Sequence, residues 1–327
     1  MNDDYGPGLD TPPEPAAAEV ERLLWVRSLL GPDFPVPPTA TLVRRMREVR
    51  YQRGDMLYRD GSAADRIFFI ISGRVTLSSR TRQAREFGAR DVLGFLDALQ
   101  ERPHAYDANV REETLVLELE FEDWQEFIED NFEFLQGVVT RFSQNLDPAS
   151  SDNRPRVPVQ RLSSAKNANL ALSFVERIAV LRSAPPLEKA SIQALARLAG
   201  LAEIRFLSEA REPLVGAGLF IVESGKVRAF STVESGKTWV EELEEGGVIA
   251  GLGLLQRGHI DVEVEALQPS SVYFLSSEVV FDVMEDHFNL AQSMLSFVAR
   301  SAETQAFLQS QVEALKTPWP VPSDVVV

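Results

Sequence analysis

The sequence predicts a mixed, mainly β chain with helices: two jelly-roll-like β-barrels, each flanked by N- and C-terminal helices. Three observations lead there. Short apolar runs between glycine-marked turns crowd the stretch Tyr51–Leu77. Its central pattern returns later in the chain, Gly73 reappearing as Gly225, 152 residues on. Apolar residues at helical spacing precede and follow both stretches.

In chain order, residues 1–15 are acidic and Pro-rich and are expected to be a disordered tail. Ala16–Leu30 reads as a helix with Val20, Leu23, Leu24, Val26 and Leu30 on one broad face. Pro32, Pro35, Pro37 and Pro38 break it. Thr39–Arg47 reads as a second short helix, its Arg44-Arg45 pair on a solvated face, and the first roll begins near Val49. There Gly54-Asp55, Asp60-Gly61 and Ser72-Gly73 are turns, because Gly supplies positive φ and Asp bonds its own backbone. Met56–Tyr58 and Ile67–Ile71 are strands, the second apolar on both faces. The roll continues through Arg74–Arg80, Arg85–Asp91 and Val92–Leu99. A Pro-containing loop at Glu101–His104 follows, then Thr114–Glu120, whose alternation of apolar and acidic residues predicts a half-exposed strand. One or two helices over Phe121–Leu146 close a first domain, 16–146.

Asp147–Asn169 is rich in Pro, Ser and Asn, carries positive charge, and reads as a linker. Arg161-Leu162-Ser163-Ser164 within it is similar to a basophilic kinase site, although a solvated linker accounts for it. The second domain, 170–308, repeats the first. Val20-Glu21-Arg22-Leu23 returns as Val175-Glu176-Arg177-Ile178, and Ile67–Val75 returns as Leu219–Val227. Pro186–Leu201 supplies a helical segment, Ala202–Phe206 enters the second roll, and long helices over Ser277–Leu308 close it. The tail, 309–327, ends in three valines and reads as a frayed terminus or a docking peptide.

Composition removes several functions. The 327 residues carry a net charge of −16, so direct DNA binding is not expected. No run of eighteen apolar residues is present, so no membrane span is expected, and the N-terminus has no secretory pattern. With no cysteine and three histidines (His104, His259 and His287), no metal site is expected. These features fit the cytoplasm. Gly246-Gly247 and Gly251-Leu252-Gly253 are not followed by Lys-Ser/Thr, so they are not a nucleotide-hydrolysing phosphate loop. No catalytic residues are assigned.

Gly54, Asp55, Gly61, Ala64, Asp65, Phe69, Ile70, Gly73 and Val75 resemble the opening pattern of cyclic-nucleotide-binding domains. These are the sensors of the catabolite activator protein and of the protein kinase A regulatory subunit. The tandem order resembles the latter. The resemblance implies a pocket in each roll: a Gly-Glu pair opening a short helix, the Glu on the ribose hydroxyl, and an Arg about ten residues on for the cyclic phosphate. In the first copy Gly94 matches, but Phe95 stands at the Glu position and His104 at the Arg position. Leu96 and Leu99 keep the short helix apolar, Ala105 lies beside His104, and Tyr106 fills a place usually small. In the second copy Ala250 stands at the Gly position and Gly251 at the Glu position. Leu252, Leu254 and Leu255 keep the helix, and His259, followed by Ile260, stands at the Arg position. Asp97, Arg102, Arg257 and Asp261 lie near enough to supply a charge if the alignment shifts.

Neutral imidazole does not replace a fixed guanidinium fork. An unpaired ribose hydroxyl costs about 1–3 kcal/mol, and losing the phosphate contact costs at least as much. Cyclic-nucleotide binding is therefore expected to be weak or absent, and no cofactor is expected. The sequence thus predicts a non-enzymatic regulatory or adaptor protein acting on an unknown protein partner. Its alternative is a true sensor of a cyclic nucleotide or other small anion, with a rewired pocket that switches the closing helices. The catabolite-activator relatives carry a DNA-reading helix pair after the sensor, and none is read here after Arg300.

Overall fold

The computed structural model of the protein describes residues 15–31, 34–79, 84–144, 172–232, 238–255 and 261–316. Residues 1–14, the Asp147–Asn169 stretch with its Arg161-Leu162-Ser163-Ser164, and the chain beyond Lys316 lie outside these. So do Arg257, His259 and Ile260. Packing divides the chain into two units, Met1–Phe134 and Leu135–Val327.

In the first unit, α1 spans Pro15–Leu30 and α2 spans Val36–Arg45. The second helix starts three residues before its expected Thr39. Pro37 and Pro38 lie in its first turn, where a missing N–H has no helical partner to lose. The apolar face expected on α1 also divides. Val26 is buried, whereas Val20 and Leu24 are exposed. Arg45 is not simply solvated: it donates to the Asp123 carbonyl at 3.0 Å and pairs with Glu126.

The strands β1 (Arg47–Tyr51), β2 (Met56–Tyr58), β3 (Arg66–Ser72), β4 (Val75–Ser78), β5 (Arg85–Phe87) and β6 (Val92–Leu93) come next. A five-residue helix, α3 (Phe95–Leu99), precedes β7 (Asp107–Val110) and β8 (Thr114–Glu120). They form two antiparallel sheets, β1-β8-β3-β6 and β2-β7-β4-β5. Tyr58, Phe68, Ile70, Val75, Leu93, Ala108, Val110 and Val116, drawn from both sheets, share one core. Helix α4 (Phe121–Asp130) follows, and the unit boundary falls inside α5 (Phe132–Gln144).

The half-exposed reading of Thr114–Glu120 needs correction. Strand β8 sits between β1 and β3, and its Glu118 is 3% exposed. Arg47 Nη2 and Tyr51 Oη donate to its two oxygens at 2.6 and 2.5 Å. A buried carboxylate is tolerated when its lone pairs are filled in this way.

The second unit opens with α6 (Phe174–Ser183), whose Ser173 and Glu176 form a reciprocal capping box. Helix α7 (Ile192–Leu201) leads into β9 (Glu203–Leu207), β10 (Glu212–Pro213), β11 (Gly218–Ser224), β12 (Lys226–Thr232) and β13 (Thr238–Glu244). After a short 3-10 turn at Gly253–Leu255 come β14 (Asp261–Ala266) and β15 (Ser270–Ser276), then α8 (Ser277–Asp286) and α9 (Phe288–Lys316). The sheets are β10-β14-β12-β13 and β11-β15-β9, closed over a core that includes Phe220, Val222, Val227, Val264, Val272 and Phe274.

One turn shows why the repeat is written in glycine. Gly73 and Gly225 have φ of 96° and 90°. A Cβ at either would strike the facing hydroxyl residue, Thr114 or Ser270. Those hydroxyls accept the next amide, Arg74 N at 3.1 Å and Lys226 N at 3.0 Å. Each also donates to the carbonyl two residues before it, Glu112 or Gln268.

Candidate functional site

Each cassette hangs from the same ladder. In the first roll Ile70 N donates to Asp91 O at 3.0 Å, and Arg90 N returns to Ile70 O at 2.9 Å. In the second, Val222 N donates to Gly247 O and Gly246 N to Val222 O, both at 2.8 Å. Arg90 and Gly246 share a positive φ, 77° and 83°. Four residues later this register sets Gly94 in the place of Ala250 and Phe95 in the place of Gly251. Gly94 has φ of 82°, and a Cβ there would meet the Arg66 carbonyl, so glycine is dictated by geometry. Ala250 reaches the same region with φ of 55° at the cost of strain.

The first cassette turns its charges on itself. Asp97, on α3, accepts from Arg102 Nε at 2.9 Å and from Nη2 at 2.7 Å, both on Oδ1. Its other oxygen meets His104 Nδ1 at 3.2 Å. The loop between them is short because Arg102 N also bonds the Asp97 carbonyl at 3.2 Å. Burial alone would push the Asp97 carboxyl up. The hydrogen bond from His104 and the Arg102 guanidinium outweigh that and hold it below the usual carboxylate range.

His104 is 2% exposed and lies flat on Tyr58, with ring centroids 3.7 Å apart and planes 13° off parallel. Its backbone bonds the turn between β2 and β3 twice, Gly61 N to His104 O at 2.8 Å and His104 N to Ser62 O at 2.9 Å. Burial, and then the Asp97 charge, raise the Tyr58 phenol, and the Gly94 backbone amide opposes them. Phe95 packs toward the closing helices. It is buried edge-on against Trp124 of α4, centroids 5.3 Å apart. Trp124 continues to Phe134, which meets Phe34 and Phe127. An aromatic chain therefore ties the cassette to the closing helices. Leu99 is buried, and Leu96, Ala105 and Tyr106 are half-buried at its edge.

In the second cassette Gly251 and Leu252 are buried. His259 and Ile260 lie outside the described residues, so the paired histidines are visible on one side only. The edge strand of this roll carries a different cation. Arg205, on β9, lies 3.6 Å from the Phe274 ring centroid and donates to the Val215 carbonyl at 2.7 Å. Ser231 faces inward beside Val262, fully buried, and its hydroxyl has no partner among the described residues. Two features escaped the sequence reading: the stacking of Tyr58 on His104, and the buried Glu223 that accepts from Ser271 Oγ at 2.7 Å and Tyr273 Oη at 3.0 Å. Among the described residues no cluster of His, Asp or Glu could hold a metal ion. No helix among them is long and apolar enough to cross a membrane.

Two rolls, each with a short cassette slung between strands and closed by helices, define a tandem-domain architecture. The cyclic nucleotide-binding domain family matches residues 48–131 and 208–287, half of the 327 residues, and the chain belongs to that family. A CRP-like cAMP-activated global transcriptional regulator of Mycobacterium tuberculosis is 24% identical over 112 residues, 33% of this chain and 50% of that protein. A patatin-like phospholipase domain-containing protein of Caenorhabditis elegans is 38% identical over 52 residues, 16% of this chain and 4% of that protein. The chain thus spans half or less of these curated relatives. The regulatory domain of Toxoplasma gondii PKA, solved with cAMP, is 14% identical, with a TM-score of 0.34 over 92% of this chain and 98% of that one.

Proposed function

We propose that this chain is a non-enzymatic, cytoplasmic regulatory or adaptor protein. In this reading its two cyclic-nucleotide-binding-like domains act through contacts with a protein partner and not through a clamped cyclic nucleotide. One observation carries the reading: in the first cassette the charges satisfy one another. Arg102 and His104 are turned on Asp97, and the Glu position is held by Phe95, buried on Trp124. A phosphate entering there would have to displace a carboxylate already held by a guanidinium, and its ribose would find no acceptor at Phe95. The aromatic chain from Phe95 to Phe134 links this cassette to the closing helices.

A second reading, a surviving sensor of a small ligand, attaches to the second roll. Gly251 puts no side chain at the place Phe95 fills in the first roll, and the buried Ser231 hydroxyl is unpartnered among the described residues. Following the melting temperature with cAMP and cGMP separates the two. The adaptor reading expects no rise at millimolar ligand, whereas a micromolar ligand raises stability by about RT ln(1 + [L]/Kd), roughly 4 kcal/mol at a thousandfold excess.

A further inference from the structure

The Asp97 carboxylate has the surroundings of a bound oxyanion. One oxygen takes two N–H groups of a single guanidinium at 2.9 and 2.7 Å, and the other meets an imidazole nitrogen at 3.2 Å. Guanidinium and imidazole arranged in this way would receive any oxyanion of similar size. The imidazole is fixed from three sides: by the Tyr58 ring beneath it, and by two backbone bonds to Gly61 and Ser62. The imidazole half of the receptor is therefore built into the fold and does not depend on Asp97 for its shape. The Asp97 side chain is 12% exposed and that of Arg102 34%, so the carboxylate side of the group has a route to solvent.

We propose that Asp97 is a built-in anion, and that the first roll carries a latent oxyanion site occupied by its own chain. The ligand class is a small oxyanion or the phosphate group of a nucleotide. Removing the Asp97 side-chain carboxylate opens the site, with Arg102 and His104 as its donors. The proposal rests on the adaptor reading of the first cassette, and the two fail differently. Micromolar cyclic-nucleotide binding by the unmodified chain defeats the adaptor reading, whereas silence of both the unmodified chain and the opened variant defeats this one.

The same geometry sets the outcome of His104→Arg. That change alone places a second guanidinium beside Asp97, where it pairs internally, and no anion affinity is gained while Asp97 remains.

The test uses the full chain and its Asp97→Ala variant, melted with formate, inorganic phosphate or cAMP against chloride at equal ionic strength. Formate replaces the deleted carboxylate, phosphate probes the larger oxyanion, and cAMP tells whether a nucleotide also enters. The unmodified chain is expected not to respond. Asp97→Ala is expected to melt several degrees lower, to regain part of that loss with formate or phosphate, and to lose the response when Arg102→Ala is added. Equal responses of both proteins overturn the proposal, as does a folded Asp97→Ala that responds to none of the anions. If Asp97→Ala does not fold, Asp97→Ser is titrated with phosphate while the His104 ring resonances are followed. A saturable shift supports the site and its absence overturns it.

Discussion

The two rolls agree at their turns and disagree in their interiors. Gly73 and Gly225 make the same turn with the same hydroxyl behind it. Yet opposite Phe68 the first roll places Glu118, held by Arg47 and Tyr51, while opposite Phe220 the second places Phe274 beneath Arg205. At the cassette the contrast repeats, Phe95 against Gly251. Backbone geometry is therefore what the repeat preserves, and the side chains it encloses differ from one copy to the other. In these two sites fold similarity carries the architecture, and the ligand has to be argued from side chains.

The sharpest way to break the comparison is Phe95→Ala. It empties a buried aromatic site against Trp124 and is expected to cost about 3–5 kcal/mol in urea unfolding. Gly251→Ala, at the matching place, takes on an unfavourable positive φ, which is expected to cost about 1–2 kcal/mol. Equal losses would mean that Phe95 does not join the cassette to α4.

Next come Gly73→Ala and Gly225→Ala, each expected to lose about 1–3 kcal/mol from backbone strain alone. Their losses should be alike, because both turns have the same φ and the same facing hydroxyl. A loss confined to one of them would show that the turns are not equivalent under load.

A smaller effect concerns pH. The folded-state pKa of Asp97 lies below the ordinary carboxylate value, so its stabilisation is present above that value and is lost as pH falls through the folded one. Asp97→Asn is therefore expected to be less stable than the unmodified chain by about 1 kcal/mol near neutral pH. The gap should close as pH falls below the ordinary carboxylate range. A gap that widens in acid contradicts the direction of the shift. Smallest of all is Phe206→Ser. Phe206 is 84% exposed, and its replacement is expected to change stability by less than about 0.5 kcal/mol.

Much of the fold was legible because turns announce themselves locally. Gly54, Gly61, Gly73 and Gly225 all have positive φ, and the strands expected at Met56–Tyr58 and around Ile67–Ile71 lie between the first three. What escaped depends on distant partners. Alternation alone could not tell that Glu118 would meet Arg47 and Tyr51 of another strand. A helical stripe could not tell that Val26 would be buried while Val20 and Leu24 stayed exposed. Pro37 and Pro38 read as breakers because a helix start tolerates what its middle does not. At the first cassette, Asp97, Arg102 and His104 were each visible as candidates, but their convergence on one carboxylate was not. The helix that carries Asp97 ends at Leu99, so no periodic pattern reaches Arg102 and His104, and it is the bonds of the Gln100–His104 loop that bring them together.

The central claim is that the first cassette is already occupied by its own carboxylate, and calorimetry of the full chain with cAMP tests it most directly. At neutral pH and low salt the account predicts no saturable heat tighter than about millimolar. Micromolar binding that disappears in Arg102→Ala would contradict it.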